Sequence, residues 1–99
     1  MRRQNQHKHQ NSLILYRERI GYTQLQVAAL LGATSTASLS RFERGHQLPS
    51  LPTALKLAII YRVPVDYLYS ELYGLLRERI RAKEQAWQQD ALRTSPHQT

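Results

Sequence analysis

Apolar positions along the chain recur at helical rather than strand spacing, and small breaks divide them into six segments. Leu13, Leu15, Tyr16 and Ile20 supply the burial positions of a first helix, opened by Ser12 and ended by Gly21. Thr23 is a good N-cap for a second helix over 24–31, and Gly32 fits the left-handed position that follows a helix. A third helix is expected from Ser35 or Thr36 to Arg44, stopped by Gly45. Ser50 caps a fourth, with Pro52 tolerable in its first turn and Leu51, Leu55, Ala58 and Tyr61 as its repeat. Val63-Pro64 breaks that helix, and "VDYLY" makes a short fifth with Leu68 as its core residue. From Ser70 to about Ala91 one longer helix is predicted. Leu68, Leu72, Leu75, Leu76, Ala86 and Trp87 form its broad apolar face, and Arg79 and Lys83 interrupt it. No segment alternates as a strand would, so the fold class is all-α.

Charge sharpens this picture. The 99 residues carry a net charge of +7, and the excess is uneven. Residues 1–70 hold nine Lys/Arg against three acids, whereas residues 71–99 hold five against four. A basic small domain attracts polyanions, and the attraction belongs to the first seventy residues. There is no cysteine, which removes disulfides, thiolate nucleophiles and Cys-based zinc sites. No apolar run approaches the roughly 20 residues needed to cross a bilayer, and the basic start "MRRQNQHKHQNS" leads to no signal-like apolar stretch. A cytoplasmic protein without membrane contact is the expectation. No phosphate-binding glycine loop, metal-ligand cluster or nucleophile elbow appears, so neither a cofactor nor enzymatic activity is expected.

The third helix has two unlike faces. At 100° per residue Ser35, Leu39 and Phe42 fall on one side, while Ala37, Ser40, Arg41 and Arg44 fall on the other with Thr36 at their edge. The first face suits a core. The second is small, polar and basic, which lets a helix lie close against a groove and present a guanidinium fork to guanine. Thr23 and Gln24 open the preceding helix, where backbone N–H groups meet phosphate.

These residues resemble the XRE family, the helix-turn-helix of Cro and the lambda-type repressors. The likeness is carried by Arg17, "TQ" at 23–24, "VA" at 27–28, "LG" at 31–32, "LSRFERG" at 39–45, "PS" at 49–50, "LKLA" at 55–58 and "VPVDYL" at 63–68. It covers roughly residues 12–70 and implies a five-helix, lambda-repressor-like DNA-binding bundle, here followed by a longer C-terminal helix. It further implies that the third helix enters the major groove of double-stranded DNA while the second crosses the backbone. By position, Thr36, Ala37, Ser40 and Arg41 would face bases. Thr23, Gln24, Arg44 and His46 would meet phosphates, and Arg17 and Glu43 would form an internal ion pair. Two departures stand out. The stretch from Gly32 to Glu43 is one residue longer than the commonest family spacing, which leaves the start of the recognition helix open within "ATSTAS". Arg62 stands where glycine is usual after the fourth helix, so that turn is either built differently or holds Arg62 in an uncommon backbone conformation.

The domain plan is a flexible basic arm over 1–11, the DNA-binding domain over 12–70, a C-terminal helix over 71–93 and a disordered tail over 94–99. Arg2, Arg3 and Lys8 of the arm are candidates for extra phosphate or minor-groove contacts. His7 and His9 beside Lys8 belong to a polar tail rather than a metal site. Leu25, Leu30 and Ile59 occupy positions where the family carries polar residues, and Tyr67, Tyr69 and Tyr73 add aromatic surface. Leu72, Leu75, Leu76 and Trp87 are the candidates for contact with a second subunit or another protein, since large apolar patches mark interfaces. Two functions stay open. One is a dimeric transcriptional regulator, a repressor that occupies a two-fold operator. The other is an antitoxin-like module that binds a partner protein through its C-terminal helix and regulates itself through DNA binding. Folding of that helix back onto its own domain is the alternative to both uses.

Overall fold

The computed structural model describes residues 10–94. The arm residues Arg2, Arg3, His7, Lys8 and His9, and the tail over 95–99, lie outside the described residues. Among the described residues there are six helices and no strand: α1 Leu13–Ile20, α2 Gln24–Leu30, α3 Ala37–Glu43, α4 Leu51–Tyr61, α5 Val65–Leu68 and α6 Ser70–Thr94.

Local chemistry sets most of these boundaries. Gly21 adopts φ 89°, and its N–H donates to the carbonyls of Arg17 and Glu18, which closes α1. Thr23 and Gln26 form a reciprocal capping box: Gln26 N donates to Thr23 Oγ1 at 3.1 Å, and Thr23 N donates to Gln26 Oε1 at 2.9 Å. Ser50 Oγ accepts from Thr53 N and starts α4. The start of α1 departs from expectation. Ser12 makes no side-chain cap bond; Asn11 Oδ1 accepts from Leu13 N at 3.0 Å instead, and Asn11 Nδ2 donates to the Phe42 carbonyl. Asn11 is thereby tied to the bundle rather than to the arm.

The core gathers Leu13 of α1, Val27 of α2, Leu39 and Phe42 of α3, Leu57, Ala58 and Tyr61 of α4, Leu68 of α5, and Tyr69. Two expectations for it fail. Leu15 is exposed, because it lies about 200° from Leu13 around α1. Leu57 rather than Leu55 and Leu51 turns inward from α4, since the buried face centres between Leu57 and Ala58. Tyr69, expected to add aromatic surface, is instead buried in the core; its hydroxyl is unpartnered among the described residues, and burial pushes that phenol up to about 12.

After α4, Arg62 sits in the left-handed region at φ 61°, ψ 43°, and Val63 N reaches back to the Ala58 carbonyl at 3.1 Å. A side chain there costs about 1–2 kcal/mol relative to right-handed backbone. Glycine returns roughly half of that as unfolded-chain freedom. Arg62→Gly is therefore expected to stabilise the chain by about 0.5 kcal/mol, raising Tm by about 2–4 °C in a thermal melt. A lowered Tm would mean that the bond from Arg62 Nη1 to the Ile60 carbonyl outweighs the strain.

Helix α6 has 25 residues, about 37 Å of length. It rests on the bundle through α5 and through Leu72, which packs against the core. It does not cover the apolar surplus of the domain: Leu25, Leu30 and Ile59 remain exposed, Ile59 at 75%. Leu75, Leu76, Ile80 and Trp87 along α6 are exposed as well. No helix among the described residues is long and apolar enough to cross a membrane.

Candidate nucleic-acid interface

A buried carboxylate fixes α2 and α3 in place. Glu43, at the end of α3, has a side chain only 2% exposed. Its Oε2 accepts from Arg17 Nε at 2.6 Å, and its Oε1 accepts from Arg17 Nη2 at 3.2 Å and from Gln24 Nε2 at 2.8 Å. Arg17 also donates through Nη1 to the Tyr22 carbonyl at 3.1 Å, which anchors the turn between α1 and α2. One carboxylate thus joins three helices. The hydrogen bond to Glu43 raises the Arg17 pKa, against the opposing effect of desolvation, so the guanidinium stays charged. Gln24, placed by resemblance at a phosphate, spends one amide N–H on this clamp.

The turn before α3 absorbs the extra residue. The helix begins at Ala37, later than the expected Ser35 or Thr36, and ends at Glu43, one residue before Arg44. Thr36 occupies the cap position at φ −90°, ψ 4° without a side-chain cap bond, and Ser35 Oγ accepts from Ala37 N at 3.3 Å. Beyond the helix, Gly45 takes φ 81°, and His46 N donates to the Arg41 carbonyl at 2.9 Å. With Leu39, Phe42 and Glu43 turned inward, the outward face is left to small polar residues and two arginines.

Ala37 and Arg41 are exposed on that face, with Thr36 and Ser40 half-buried. Arg41 does not wave in solvent. Its Nε donates to Gln47 Oε1 at 2.8 Å, and its Nη2 reaches Ser38 Oγ at 3.4 Å. The remaining donors of the fork stay open, where a planar acceptor pair would engage them. Arg44 Nη1 donates to Ser40 Oγ, which turns this arginine back along the helix. Thr23 and His46 are exposed at the two ends of the unit. The structure thus places Gln24, Ala37, Ser40 and Arg41 on the α2–α3 pair held by Arg17 and Glu43, with Thr23, Thr36 and Arg44 at the helix ends and His46 in the loop after α3. Sequence reasoning missed Gln47 and Ser38 as the supports of Arg41. Ser38 carried a signal, since it lies three residues before Arg41 on the same helix.

Comparison with known proteins agrees with this architecture. The family model described as helix-turn-helix matches residues 13–68. The HTH-type transcriptional regulator ImmR of Bacillus subtilis (strain 168) is 40% identical over 52 residues. The match covers 52% of this chain and 40% of that relative's length.

Proposed function

This chain belongs to the XRE-type helix-turn-helix family, and from that premise we propose that it is a sequence-specific, double-stranded-DNA-binding transcriptional regulator. In this reading it is a repressor that acts by occupying an operator. The observation that carries the reading is the outward face of α3. Arg41 is held at the surface by Gln47 and Ser38, above a buried three-helix clamp.

Arg41 is assigned the base edge, with Thr36, Ala37 and Ser40 lining the approach of the helix to the groove floor. Thr23, Gln24, Arg44 and His46 are assigned phosphates on either flank, where contacts fix register without carrying sequence. One helix of this length reads few base pairs. Two copies on half-sites about 34–36 Å apart, or a multiple of that, supply the rest.

The test is binding of the purified chain to labelled DNA from upstream of its own gene, against scrambled DNA, across a salt series. The expected result is preference for the native fragment and a two-fold footprint. Affinity should fall linearly on logarithmic axes by a slope of about 0.9 per phosphate neutralised. Equal affinity for both DNAs at every salt concentration would overturn sequence-specific recognition.

A further inference from the structure

Among the described residues, Arg62 is the one non-glycine residue with positive φ, at 61°. Backbone strain of this kind gathers at binding sites and switch regions. Glycine would relieve the strain and also remove the guanidinium. What the strained turn retains is therefore a charge.

Two depressions meet at this turn. On one side Leu55, Ile59, Pro64 and Val65 line an open apolar groove of about 450 Å³. On the other, Tyr16, Arg19, Ile20 and Tyr61 line a cleft of about 280 Å³ between the C-terminal ends of α1 and α4. Arg62 and Val63 belong to both linings. Leu55 and Ile59 are exposed, so the groove opens to solvent.

The two arginines are held without a carboxylate. Arg19 lies over the Tyr16 ring, 5.4 Å from its centroid. Arg62 Nη1 donates to the Ile60 carbonyl at 3.1 Å. Each guanidinium has five donors, so most of each fork stays open. Among the described residues, neither lining includes an acid.

An occupant that satisfies both depressions brings a carboxylate next to an apolar side chain. A DNA backbone brings the charge but nothing apolar for the groove. A second copy of this chain brings little acid, since it carries +7, and its Glu78 and Glu84 each follow an arginine or lysine in sequence. A different protein with an acidic, apolar segment matches both depressions, and its charge is attracted to a basic chain.

We propose that the C-terminal ends of α1 and α4 form a docking face for an acidic, amphipathic segment of another protein. An apolar side chain of that segment fills the groove, and its carboxylates engage Arg62 and Arg19. None of the residues assigned to DNA lines this face, so it stands apart from the DNA reading.

The experiment titrates short labelled helical peptides into the full-length chain. The peptides pair Leu or Phe with Glu one or two turns apart, and each has a counterpart with Gln for Glu. Anisotropy gives affinity, and amide NMR shifts give the location. A Glu peptide should shift Arg19, Ile20, Ile59, Arg62 and Val63, and its Gln counterpart should bind about tenfold more weakly, the loss of a charge-assisted bond. Arg62→Gly, expected above to raise Tm, should lose the same factor, so unfolding does not explain the loss. Arg62→Asn, which tolerates left-handed backbone, should match it. Ile59→Ser should weaken binding from the apolar side, while Lys56→Gln, outside both linings, should leave it unchanged. Equal affinity of the wild-type and Arg62→Gly proteins overturns the proposal, as do shifts confined to α6 or the failure of every Glu peptide to bind at millimolar concentration. Peptide failure together with weaker, less salt-dependent DNA binding by Arg62→Gly would make Arg62 a phosphate contact instead. Loss of sequence preference in the DNA experiment would strike the regulatory reading and leave this face intact.

Discussion

Replacing Glu43 with alanine is expected to destabilise the chain by about 3–5 kcal/mol, the usual cost of removing one member of a buried ion pair. The magnitude follows from what the carboxylate leaves behind. Arg17, with only 16% of its side chain exposed, would keep its charge but lose two hydrogen bonds and its counter-ion, and Gln24 would lose its acceptor. Domains of this size have only about 5–15 kcal/mol in total, so the variant should unfold at far lower urea. The loss should be reciprocal but not additive. Changing both members to apolar residues of similar volume, Arg17→Met with Glu43→Leu, removes the stranded charge and should recover most of the stability. Urea midpoints of the three proteins decide the matter. A cost below about 1 kcal/mol for Glu43→Ala would make the pair equivalent to an exposed surface bridge and would remove the clamp from the account.

The Arg17–Glu43 pair was legible before the structure because it sits at motif positions of fixed spacing, whereas the bond from Gln24 to the same carboxylate was not foreseen. Also legible were the helix ends at Gly21, Thr23, Gly32 and Ser50, whose caps depend on a few adjacent residues. The left-handed Arg62 was legible as a departure from glycine. What escaped depends on contacts between distant segments. The run "LKLAII", apolar but for Lys56, offers several overlapping helical faces, and packing against α1 and α5 chose Leu57 over Leu55. The run "ATSTAS" has no apolar period, so nothing in it marked Ala37 as the first helical residue. Asn11 sits in a polar stretch whose composition resembles an arm, yet it bonds the carbonyl of Phe42, 31 residues away. Gln47 reaches Arg41 only because Gly45 turns the chain back beside α3.

The second large effect concerns Arg41. Arg41→Ala should weaken operator binding by about 1–3 kcal/mol, with the loss concentrated at one base pair, so that binding to variants of that pair becomes equal. Arg44→Ala should weaken native and scrambled DNA alike and flatten the salt dependence by about one phosphate. The two arginines lie three residues apart on the same exposed face, and their supports distinguish them. Arg44, at the C-terminal end of α3, is folded back onto Ser40 of that helix, in the posture of a flank contact. Arg41 is exposed and braced from outside the helix by Gln47. That brace makes a further demand. If Gln47 preorganises the fork, Gln47→Ala should lower specificity at the Arg41 base pair without itself contacting DNA, and it should add little once Arg41 is already alanine. Competition binding with single-base operator variants measures all three proteins. An Arg41→Ala protein that keeps its preference at every position would move base reading elsewhere on α3, to Ser40 or Thr36. An additive Gln47→Ala effect would instead make the glutamine an independent contact rather than a brace.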